Sequence, residues 1–508
     1  MLERSPGIAT ALLVLAAIGF LTWGFFRARP YGRIGILSWL QSVVLMAPWL
    51  LFFALLSVGI YINIVGVLML LVAATAIYIY LGRRLRAAGQ EAILRERASQ
   101  RLQQQDSSEV EGGETAQESA AESASGQPAQ SSTEGSPIPE TDLETIRGIF
   151  GINTFYATET VPYREGAIFK GNLRGDPEAV RAELADKLAA QFGDRYRLFL
   201  VESPEGKPVA IVLPSDREPQ PATTPQKVLA LVLLVASLAT SLEAFSRLLG
   251  FDFFTHPERW AQPLPIALGF WAILGAHELG HRFLARRYSL RMGVPFFIPS
   301  AQIGSFGALA RFESLLPTRA ALFDIALAGP AAGGILSLLL LLAGLGLSQS
   351  GSLFQVPTEF FQGSILVGSL AKVVLGSALK QSVVDIHPLV AIGWLGLVVT
   401  ALNLMPAGQL DGGRVVQAIY GRKTARRATV ATLVVLGIVA LINPSNPIPL
   451  YWAILILFLQ RNPERPSLNE ITEPDDARAA LGLLALFLML ATLIPLSPSL
   501  AGRLGIGV

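Results

Sequence analysis

The pentapeptide His277-Glu278-Leu279-Gly280-His281 places two imidazoles and a carboxylate in a strongly apolar stretch of the chain. Residues four apart on an α-helix lie on one face, roughly 6 Å apart, so His277 and His281 can hold one metal ion. Glu278 lies about 100° further round the same helix, where it can act on a water at the metal. The chain has only four histidines, and two of them are here. The pattern therefore predicts a zinc hydrolase site. The alternative, two core histidines beside a salt-bridged glutamate, would be costly to bury in hydrocarbon without a metal.

A third zinc ligand must come from elsewhere in the chain, and Asp411 is the best candidate. The sequence has no cysteine, so His, Asp and Glu are the available ligand types. Asp411 lies within residues 406–413, where one proline and three glycines should break a helix. A broken helix is tolerated at membrane depth only where it is buried in protein or lines a wet cavity. With His277, His281 and Asp411 bound, zinc would keep a fourth position open for water.

Composition indicates that a lipid bilayer surrounds this site. Hydrophobic residues make up 52% of the 508 residues and charged residues 15%, which is too apolar for a soluble enzyme. The net charge of +2 is nearly neutral, and the basic residues cluster at the ends of apolar segments. We therefore expect no nucleic-acid partner.

About ten apolar segments are predicted to cross the membrane as helices; most are near the roughly 20 residues that a crossing needs, and the eighth and ninth are shorter. They are residues 8–26, 36–58, 61–81, 228–248, 264–283, 322–345, 389–404, 429–442, 450–459 and 479–494. Ten crossings would place every basic cluster on the cytoplasmic side, including Arg282, Arg286 and Arg287. The N-terminus would then lie outside, and HELGH at the cytoplasmic end of the fifth helix. Residues 360–379 are expected to form an interfacial helix on the outer face.

A linker and a small soluble domain are predicted between the third and fourth segments. Residues 103–139 contain almost no large apolar residue and should form a disordered linker. Beyond them the pattern predicts helices at 143–150 and 177–192, with Asp176 as the N-cap of the second. It also predicts strands at 154–163, 167–173, 197–202 and 209–213. Two helices and four strands are typical of an α+β domain.

The chain resembles the site-2 protease family of intramembrane zinc metalloproteases, through HELGH at 277–281 and NLMPAGQLDGG at 403–413. The resemblance is closer to one branch, the ethylene-dependent gravitropism-deficient and yellow-green proteins of chloroplasts and their cyanobacterial relatives. Four further stretches carry that closer resemblance, at 171–175, 304–314, 324–334 and 385–397. Together the motifs cover about residues 141–425, and the first three helices and the linker carry none.

The resemblance implies an active enzyme with bound Zn²⁺. The residues that match the family's site are the zinc ligands His277, His281 and Asp411, the acid/base Glu278, and Asn403, which lies beside the site. All five are intact, whereas some members of this branch have lost them. Glu278 would take a proton from the attacking water and return it to the leaving nitrogen. Asn403 has two open roles: an amide donor to the reaction intermediate, or a helix-capping or packing residue.

The expected substrates are transmembrane proteins, whose helices must be unwound locally before a peptide bond can be attacked. Residues 295–317 could assist, because their prolines and glycines forbid a regular helix while Phe306 to Phe312 can run extended. A re-entrant β-hairpin there would offer a strand edge near Gly304–Phe312 to the unwound substrate. The alternative is a loop that only links two helices.

The predicted fold class is therefore a polytopic α-helical membrane protein of about ten transmembrane helices, with a re-entrant β-hairpin and a small α+β soluble domain. Four parts are expected: a three-helix membrane unit at 1–86, a charged helix end and linker at 87–140, the soluble domain at 141–220 and the catalytic membrane domain at 221–508.

Several other residues have simpler interpretations. Residues 329–333 are most simply a small-residue surface that lets their helix approach the one with HELGH. Asp324 is expected to have a polar partner or a helix-start role. Asp385 and His387 could form a second metal or proton site, but loop structure is favoured there and for His256. The motif at 171–175 is interpreted as a strand end and turn.

Two functions from other classes remain open. A transporter would use intramembrane charges as a relay, but such charges are sparse outside HELGH and LDG, and no inverted repeat is evident. A catalytically silent substrate-binding scaffold would not need Glu278. The expected location is the plasma or thylakoid membrane of a cyanobacterium-like cell, because no transit peptide is evident at the N-terminus.

Overall fold

The computed structural model describes residues 24–57 and 138–506, except 164, 165, 204, 445 and 461, together with residue 22 and scattered positions between 70 and 85. The predicted segments 8–26 and 61–81 and the linker at 103–139 lie mainly outside the described residues. The chain divides into two compact units, residues 1–131 with 436–454 and residues 132–435 with 455–508. All the candidate site residues lie in the second unit.

One long helix is described in the first unit. This helix, α1, spans Gly32–Ser57 and follows a short 3-10 turn at Arg29–Tyr31. It contains Pro48, which cannot donate the backbone hydrogen bond that a helix interior normally uses. The helix covers nearly all of the crossing predicted at 36–58.

The second unit begins with a sheet and two helices. Its first elements are α2 (Glu140–Ile149), β1 (Phe155–Tyr163), β2 (Gly166–Leu173), α3 (Pro177–Phe192), β3 (Tyr196–Glu202) and β4 (Pro208–Pro214). The strands form an antiparallel sheet in the order β1-β2-β4-β3. Each predicted element of the soluble domain is therefore present within three residues of its expected bounds. Asp176 caps α3 as predicted, its carboxylate accepting a hydrogen bond from the amide of Ala179.

The core of this region lies between the sheet and the two helices. Phe169 of β2 is fully buried while its neighbour Lys170 is exposed, because successive side chains of a strand point to opposite faces. Phe169 packs in one cluster with Ile146 of α2 and Leu184 of α3. Burying each such side chain contributes about 1.5–3 kcal/mol to stability.

Tyr196, at the start of β3, makes a hydrogen bond that affects the stability of the fold at high pH. Its hydroxyl donates to the Asp142 carboxylate at 2.6 Å. Burial and then this bond raise the pKa of Tyr196 to about 12. The folded protein therefore holds the phenolic proton more tightly than the unfolded chain does. The stability that this proton contributes is complete below about pH 10, the pKa of an unperturbed tyrosine, and is lost as the pH rises through about 12.

We predict that Tyr196→Phe removes a tyrosine transition near pH 12 from the absorbance titration of the folded protein. The lost amplitude should be about one tenth of the total, since the chain has 10 tyrosines. Tyr156→Phe is the matched control, because Tyr156 is exposed on β1 of the same sheet. An unchanged amplitude near pH 12 in Tyr196→Phe would contradict the assignment.

The rest of the described chain is mainly helical. Its elements are α4 (Thr224–Leu248), α5 (Leu264–Arg287), β5 (Phe296–Ser300), β6 (Gly304–Leu309), α6 (Arg319–Leu347), β7 (Phe354–Pro357), α7 (Ile365–Leu375), β8 (Val383–Ile386), α8 (Pro388–Asn403), α9 (Asp411–Ile442), α10 (Ile448–Leu455), α11 (Asp476–Leu493) and α12 (Pro498–Leu504).

Four helices in the described part of the chain are long and apolar enough to cross a membrane, namely α4, α6, α9 and α11. Helix α5 has 24 residues but falls outside this set, because HELGH replaces apolar side chains with polar ones. Helix α8 has 16 residues, fewer than the roughly 20 that usually cross hydrocarbon. The fold is that of a helical membrane protein, and the number of ten crossings stays a prediction.

The structure adds detail that the hydrophobic pattern did not contain. Residues 429–442, predicted as a separate segment, form the last part of α9, whose helical path is interrupted at Gly421 with φ 77°. Residues 360–379 contain α7, whose 11 residues are too few to cross a membrane. Strands β7 and β8 flank α7 and pair antiparallel. We did not predict them, since four-residue strands are too short for an alternating pattern to stand out.

Strands β5 and β6 form an antiparallel hairpin between α5 and α6. Helix α4 packs against both strands, and the Thr240 hydroxyl donates to the carbonyl oxygen of Gly304 at 2.6 Å. Gly304 and Gly307 have φ values of 88° and 90°, a conformation that favours glycine. The glycines that forbid a helix in this stretch thus also allow the bends of the hairpin.

Residues 468–470, between α10 and α11, connect the sheet to the helical part. The amide of Leu200 in β3 donates to the carbonyl of Leu468 at 2.8 Å, and the amide of Leu468 donates to the carbonyl of Leu316 at 2.8 Å. Because β3 is an edge strand, this segment extends the sheet through backbone hydrogen bonds. The sheet is thereby attached to the chain that leads into α6.

Candidate metal centre

His277 and His281 lie one turn apart on α5, and Asp411 is the first residue of α9. The Nε2 atoms of the two histidines are 3.1 Å apart. Asp411 Oδ2 lies 3.1 Å from His277 Nε2, and Asp411 Oδ1 lies 3.4 Å from His281 Nε2. Zinc bonds of about 2.0–2.1 Å in a tetrahedral site separate the ligand atoms by about 3.3 Å. The three side chains therefore fit one zinc ion, and among the described residues they are the group able to hold a metal.

The ring of His281 is oriented by its second nitrogen. Nδ1 lies 2.7 Å from the carbonyl oxygen of Ile325 on α6. A carbonyl can only accept, so the proton is on Nδ1, which donates it to Ile325. The lone pair of Nε2 then faces His277 and Asp411, as a metal ligand requires.

The turn at 404–410 brings Asp411 to this position, and the two glycines after Asp411 make it possible. A Cβ atom at Gly412 would lie 1.8 Å from the carbonyl oxygen of Leu404, and one at Gly413 would lie 2.4 Å from a carbonyl oxygen of the same turn. Only glycine allows the first turn of α9 to lie so close to the chain before it.

Small residues bring α6 equally close to α5. A Cβ at Gly280 would lie 2.5 Å from the carbonyl oxygen of Ala328, and one at Gly329 would lie 2.1 Å from His281 Nε2. The predicted small-residue surface at 329–333 is confirmed. It supports both candidate metal-ligand histidines, because a Cβ at Gly333 would lie 3.0 Å from His277 Cβ.

We predict that Gly329→Ala displaces the His281 ring and weakens zinc binding at least about tenfold, since even outer-shell changes cost about 10–100-fold in metal affinity. The measurement is zinc per chain after dialysis against a zinc buffer. Gly346→Ala, on the same helix, is the matched control, because its Cβ would meet nothing within 4 Å. Equal zinc content in the two variants would argue against the predicted displacement.

Glu278 lies beside the candidate metal ligands, with its carboxylate held by an arginine. Arg282 Nε donates to Glu278 Oε1 at 2.8 Å, and Arg282 Nη2 donates to the carbonyl oxygen of Gly293 at 2.8 Å. The carboxylate is therefore fixed in direction at the edge of the site.

A narrow cleft joins these groups to the hairpin. Its lining includes Glu278, His281 and Asp411 on one side and Ala308, Leu309 and Ala310, at the end of β6, on the other. Among the described residues, β6 pairs in a sheet with β5 alone. An extended peptide in the cleft would therefore lie between β6 and the metal ligands.

Asn403, the last residue of α8, also lines the cleft. Its Nδ2 amide donates to the carbonyl oxygen of Phe306 in β6 at 3.2 Å and to that of Val399 at 2.9 Å. Both hydrogens of the amide are thus used, and one of them holds β6 against α8. A role as donor to the reaction intermediate would require the substrate to replace one of these carbonyls.

Asp324 has the polar partners that the sequence suggested. Its carboxylate accepts from Arg478 Nε at 2.7 Å, Arg478 Nη2 at 2.8 Å and the hydroxyl of Tyr288 at 2.5 Å. These contacts join α6, α11 and the end of α5, and Asp324 takes no part in the metal centre.

Local structural roles are found at His256, Asp385 and His387. Asp385 lies in β8 and not in the loop expected there, and His387 is the N-cap of α8. Asp385 accepts from the amide of Gly351 at 2.6 Å, and His387 Nδ1 accepts from the amide of Leu389 at the start of α8. His256 is exposed and lies 3.2 Å from Glu258. None of these three positions joins another metal-ligand group in the described chain.

The motif at 171–175 ends β2 and turns into α3, as expected. A Cβ at Gly171 would lie 2.0 Å from the carbonyl oxygen of Tyr156, and Gly175 has φ 99°. Backbone geometry therefore explains why both positions are glycine, whereas the side chains of Asn172 and Arg174 are exposed.

Two arginines at the site were not predicted. We assigned Arg282 to a basic flank together with Arg286 and Arg287, but Arg282 faces inward to Glu278 while the other two are exposed. Arg414 is buried and lines the cleft one turn after Asp411. The spacing of the two arginines could have indicated these positions. Arg282 lies four residues after Glu278 and Arg414 three residues after Asp411, and residues so spaced share a helix face.

Comparison with known proteins gives two family matches. Residues 144–221 match the EGY3 middle domain, and residues 265–443 match peptidase family M50. The second match contains all five of His277, Glu278, His281, Asn403 and Asp411. No solved structure matches the chain.

Similar curated proteins come from plants. One named "Probable zinc metalloprotease EGY2, chloroplastic", from Arabidopsis thaliana, is 41% identical over 367 residues, which are 70% of this chain and 65% of the relative. "Probable zinc metalloprotease EGY1, chloroplastic", from the same plant, is 38% identical over 409 residues, 73% of this chain and 74% of the relative. "Probable zinc metalloprotease EGY3, chloroplastic", from Oryza sativa subsp. japonica, is 33% identical over 376 residues, 70% and 64% of the two chains. The matches thus span about two thirds to three quarters of the relatives' length.

Proposed function

The chain belongs to peptidase family M50, the site-2 protease family, and from this premise we propose that it is an intramembrane zinc metalloprotease that hydrolyses peptide bonds in or near the transmembrane segments of other membrane proteins. The observation that carries the proposal is the grouping of His277, His281 and Asp411 within reach of one metal ion, at a cleft that His281 and Asp411 line together with Glu278. A silent scaffold or a transporter would have no use for a carboxylate at that place.

The three candidate metal ligands and Glu278 have separate roles in the proposed peptide hydrolysis. His277, His281 and Asp411 would hold zinc, which when bound would supply a Lewis acid for the carbonyl and the attacking water. Glu278 takes one proton from the attacking water as the new C–O bond forms. It then gives that proton to the amide nitrogen as the C–N bond breaks, so the products are a carboxyl group and an amine.

The hairpin is proposed to be re-entrant and to bind the substrate as an added strand. Two observations support this: β6 pairs with β5 alone among the described strands, and its end lines the cleft together with Glu278. An unwound substrate paired with the end of β6 would have its backbone hydrogen bonds satisfied during attack.

Substrates with single prolines can test this pairing. Alternate amides of a paired strand point toward its partner, so a proline at one of two adjacent residues should suppress cleavage much more strongly than at the other. Equal effects at both positions would argue against an added strand.

We further propose ten crossings with the active site near the cytoplasmic side. The location proposed is the plasma or thylakoid membrane of a cyanobacterium-like cell. Basic residues such as Arg286 and Arg287 after HELGH support the orientation, and the chloroplast relatives support a photosynthetic membrane.

Reconstitution tests the function directly. Purified protein and a single-span test substrate are combined in lipid vesicles, and the masses of the products locate the cleaved bond. Cleavage in or near the span should stop when zinc is chelated and return when Zn²⁺ is added. Cleavage that continues in the chelated sample, or that is confined to a loop far from the span, would refute the proposal.

A further inference from the structure

The base of the hairpin is a short ladder outside β5 and β6. The amide of Gly293 donates to the carbonyl of Arg311 at 2.9 Å, and Met292 faces Phe312 in an antiparallel bridge. We call residues 291–293 and 310–313 the hairpin base. Any movement of the base moves β6 relative to the metal ligands.

Arg282 attaches the first side of the hairpin base to α5. Its guanidinium donates to the carbonyl of Gly293 and to the carboxylate of Glu278, each at 2.8 Å. The helix that carries both candidate metal-ligand histidines is thereby linked to the base by Arg282, whose guanidinium also holds the acid/base residue.

Arg414 attaches the second side of the hairpin base to α9. Its Nη2 donates to the carbonyl of Ala310 at 2.9 Å, its Nε donates to Glu464 at 3.1 Å, and its guanidinium lies 4.8 Å from the centre of the Phe312 ring. Arg414 is 4% exposed and lies one turn after Asp411. A buried charge in a membrane protein is costly to keep, which favours a specific role over a chance position.

We propose that Arg282 and Arg414 are positioning residues that fix the register between a bound substrate strand and the zinc site. The inference rests on the proposed function and deepens it, because it names what determines which peptide bond is cut. Because alternate amides of a strand point toward its partner, a slip that keeps the pairing is one of two residues, which moves each carbonyl by about 6.6 Å. A loosened base would allow such slips and would present the peptide bond two residues away to the same site.

The variants Arg414→Met and Arg282→Met test this, with products identified by mass spectrometry. The parent should cut mainly one bond, and Arg414→Met should add products displaced by two residues, with KM raised about tenfold. Arg282→Met should also lower kcat, since Glu278 loses its orienting donor. Arg414→Lys should recover part of the selectivity, because lysine keeps the charge but lacks the planar fork that reaches Ala310 and Glu464 together.

Two controls separate register from general damage. Arg319→Met removes an arginine that is also 4% exposed but donates to the carbonyls of Ala418 and Ile419, away from the hairpin base. Arg286→Met removes an exposed arginine one turn after Arg282. Both should leave the pattern of products unchanged.

Hydrogen exchange of the hairpin base gives a readout that does not depend on cleavage. Amides in 291–313 should exchange about tenfold faster in Arg414→Met than in Arg319→Met, as expected for the loss of a bond worth about 1.4 kcal/mol. Unchanged exchange together with an unchanged cleavage site would overturn the inference. A parent that cleaves nothing would instead refute the proposed function, and the exchange result would still decide the role of the arginines in holding the base.

Discussion

Glu278→Gln is expected to lower kcat/KM by about 10²–10⁴-fold, the usual contribution of a general acid–base group, while zinc stays bound. Glutamine has nearly the same shape, and its amide oxygen can still accept the hydrogen bond from Arg282. Only the ability to take and return a proton is lost. Cleavage of the single-span substrate and zinc per chain are measured on the same preparation.

The control for this variant is Glu258→Gln, an exposed carboxylate paired with His256. It should cleave like the parent. A Glu278→Gln enzyme that retained more than about a tenth of the parent's kcat/KM would show that another group moves the proton, because general acid–base contributions below about 10²-fold are unusual.

Asp411→Asn is expected to remove zinc from the site and with it all measurable cleavage. Asparagine can still begin α9, since it is a good residue at a helix start, but its neutral amide oxygen is a poor zinc ligand. Loss of an outer-shell partner already weakens metal binding about 10–100-fold, so loss of a ligand should exceed about 100-fold. Zinc per chain, measured over a series of zinc buffers, gives the shift in affinity.

Asp385→Asn provides the comparison, because Asp385 accepts a hydrogen bond from Gly351 in a loop. Its zinc affinity should equal that of the parent. If Asp411→Asn bound zinc as tightly as Asp385→Asn, the third ligand would have to be sought elsewhere.

How much of this structure can be predicted from the sequence depends on whether local or long-range interactions determine each part. The sheet and its two helices were predicted closely because local signals determine them, such as Asp176 followed by Pro177 at the start of α3. The spacing of HELGH was equally informative, because helix geometry alone places His277 and His281 on one face. Asp411 could be named because the glycines around it interrupt the helix.

Contacts between distant segments could not be predicted in the same way. An arginine after HELGH has the same local pattern whether it faces lipid headgroups or Glu278, so Arg282 was assigned to a basic flank. The bond from Asn403 to Phe306 depends on how α8 packs against β6, and no local pattern encodes it. The contacts of Arg414 could not be predicted for the same reason, since its partner Ala310 lies far before it in the sequence and its partner Glu464 far after it.

The pairing of residues 468–470 with β3 has a consequence for biosynthesis. An open sheet edge invites pairing with other chains, and here the edge is closed by a segment that the ribosome makes long after β3. The sheet is therefore made early and keeps one edge unpaired until residues 468–470, which follow α10, have been synthesised. A nascent or truncated chain that ends before Leu468 should be prone to aggregate or to occupy chaperones. Completion of the sheet thus depends on the synthesis of residues 468–470, which pair with its edge strand β3.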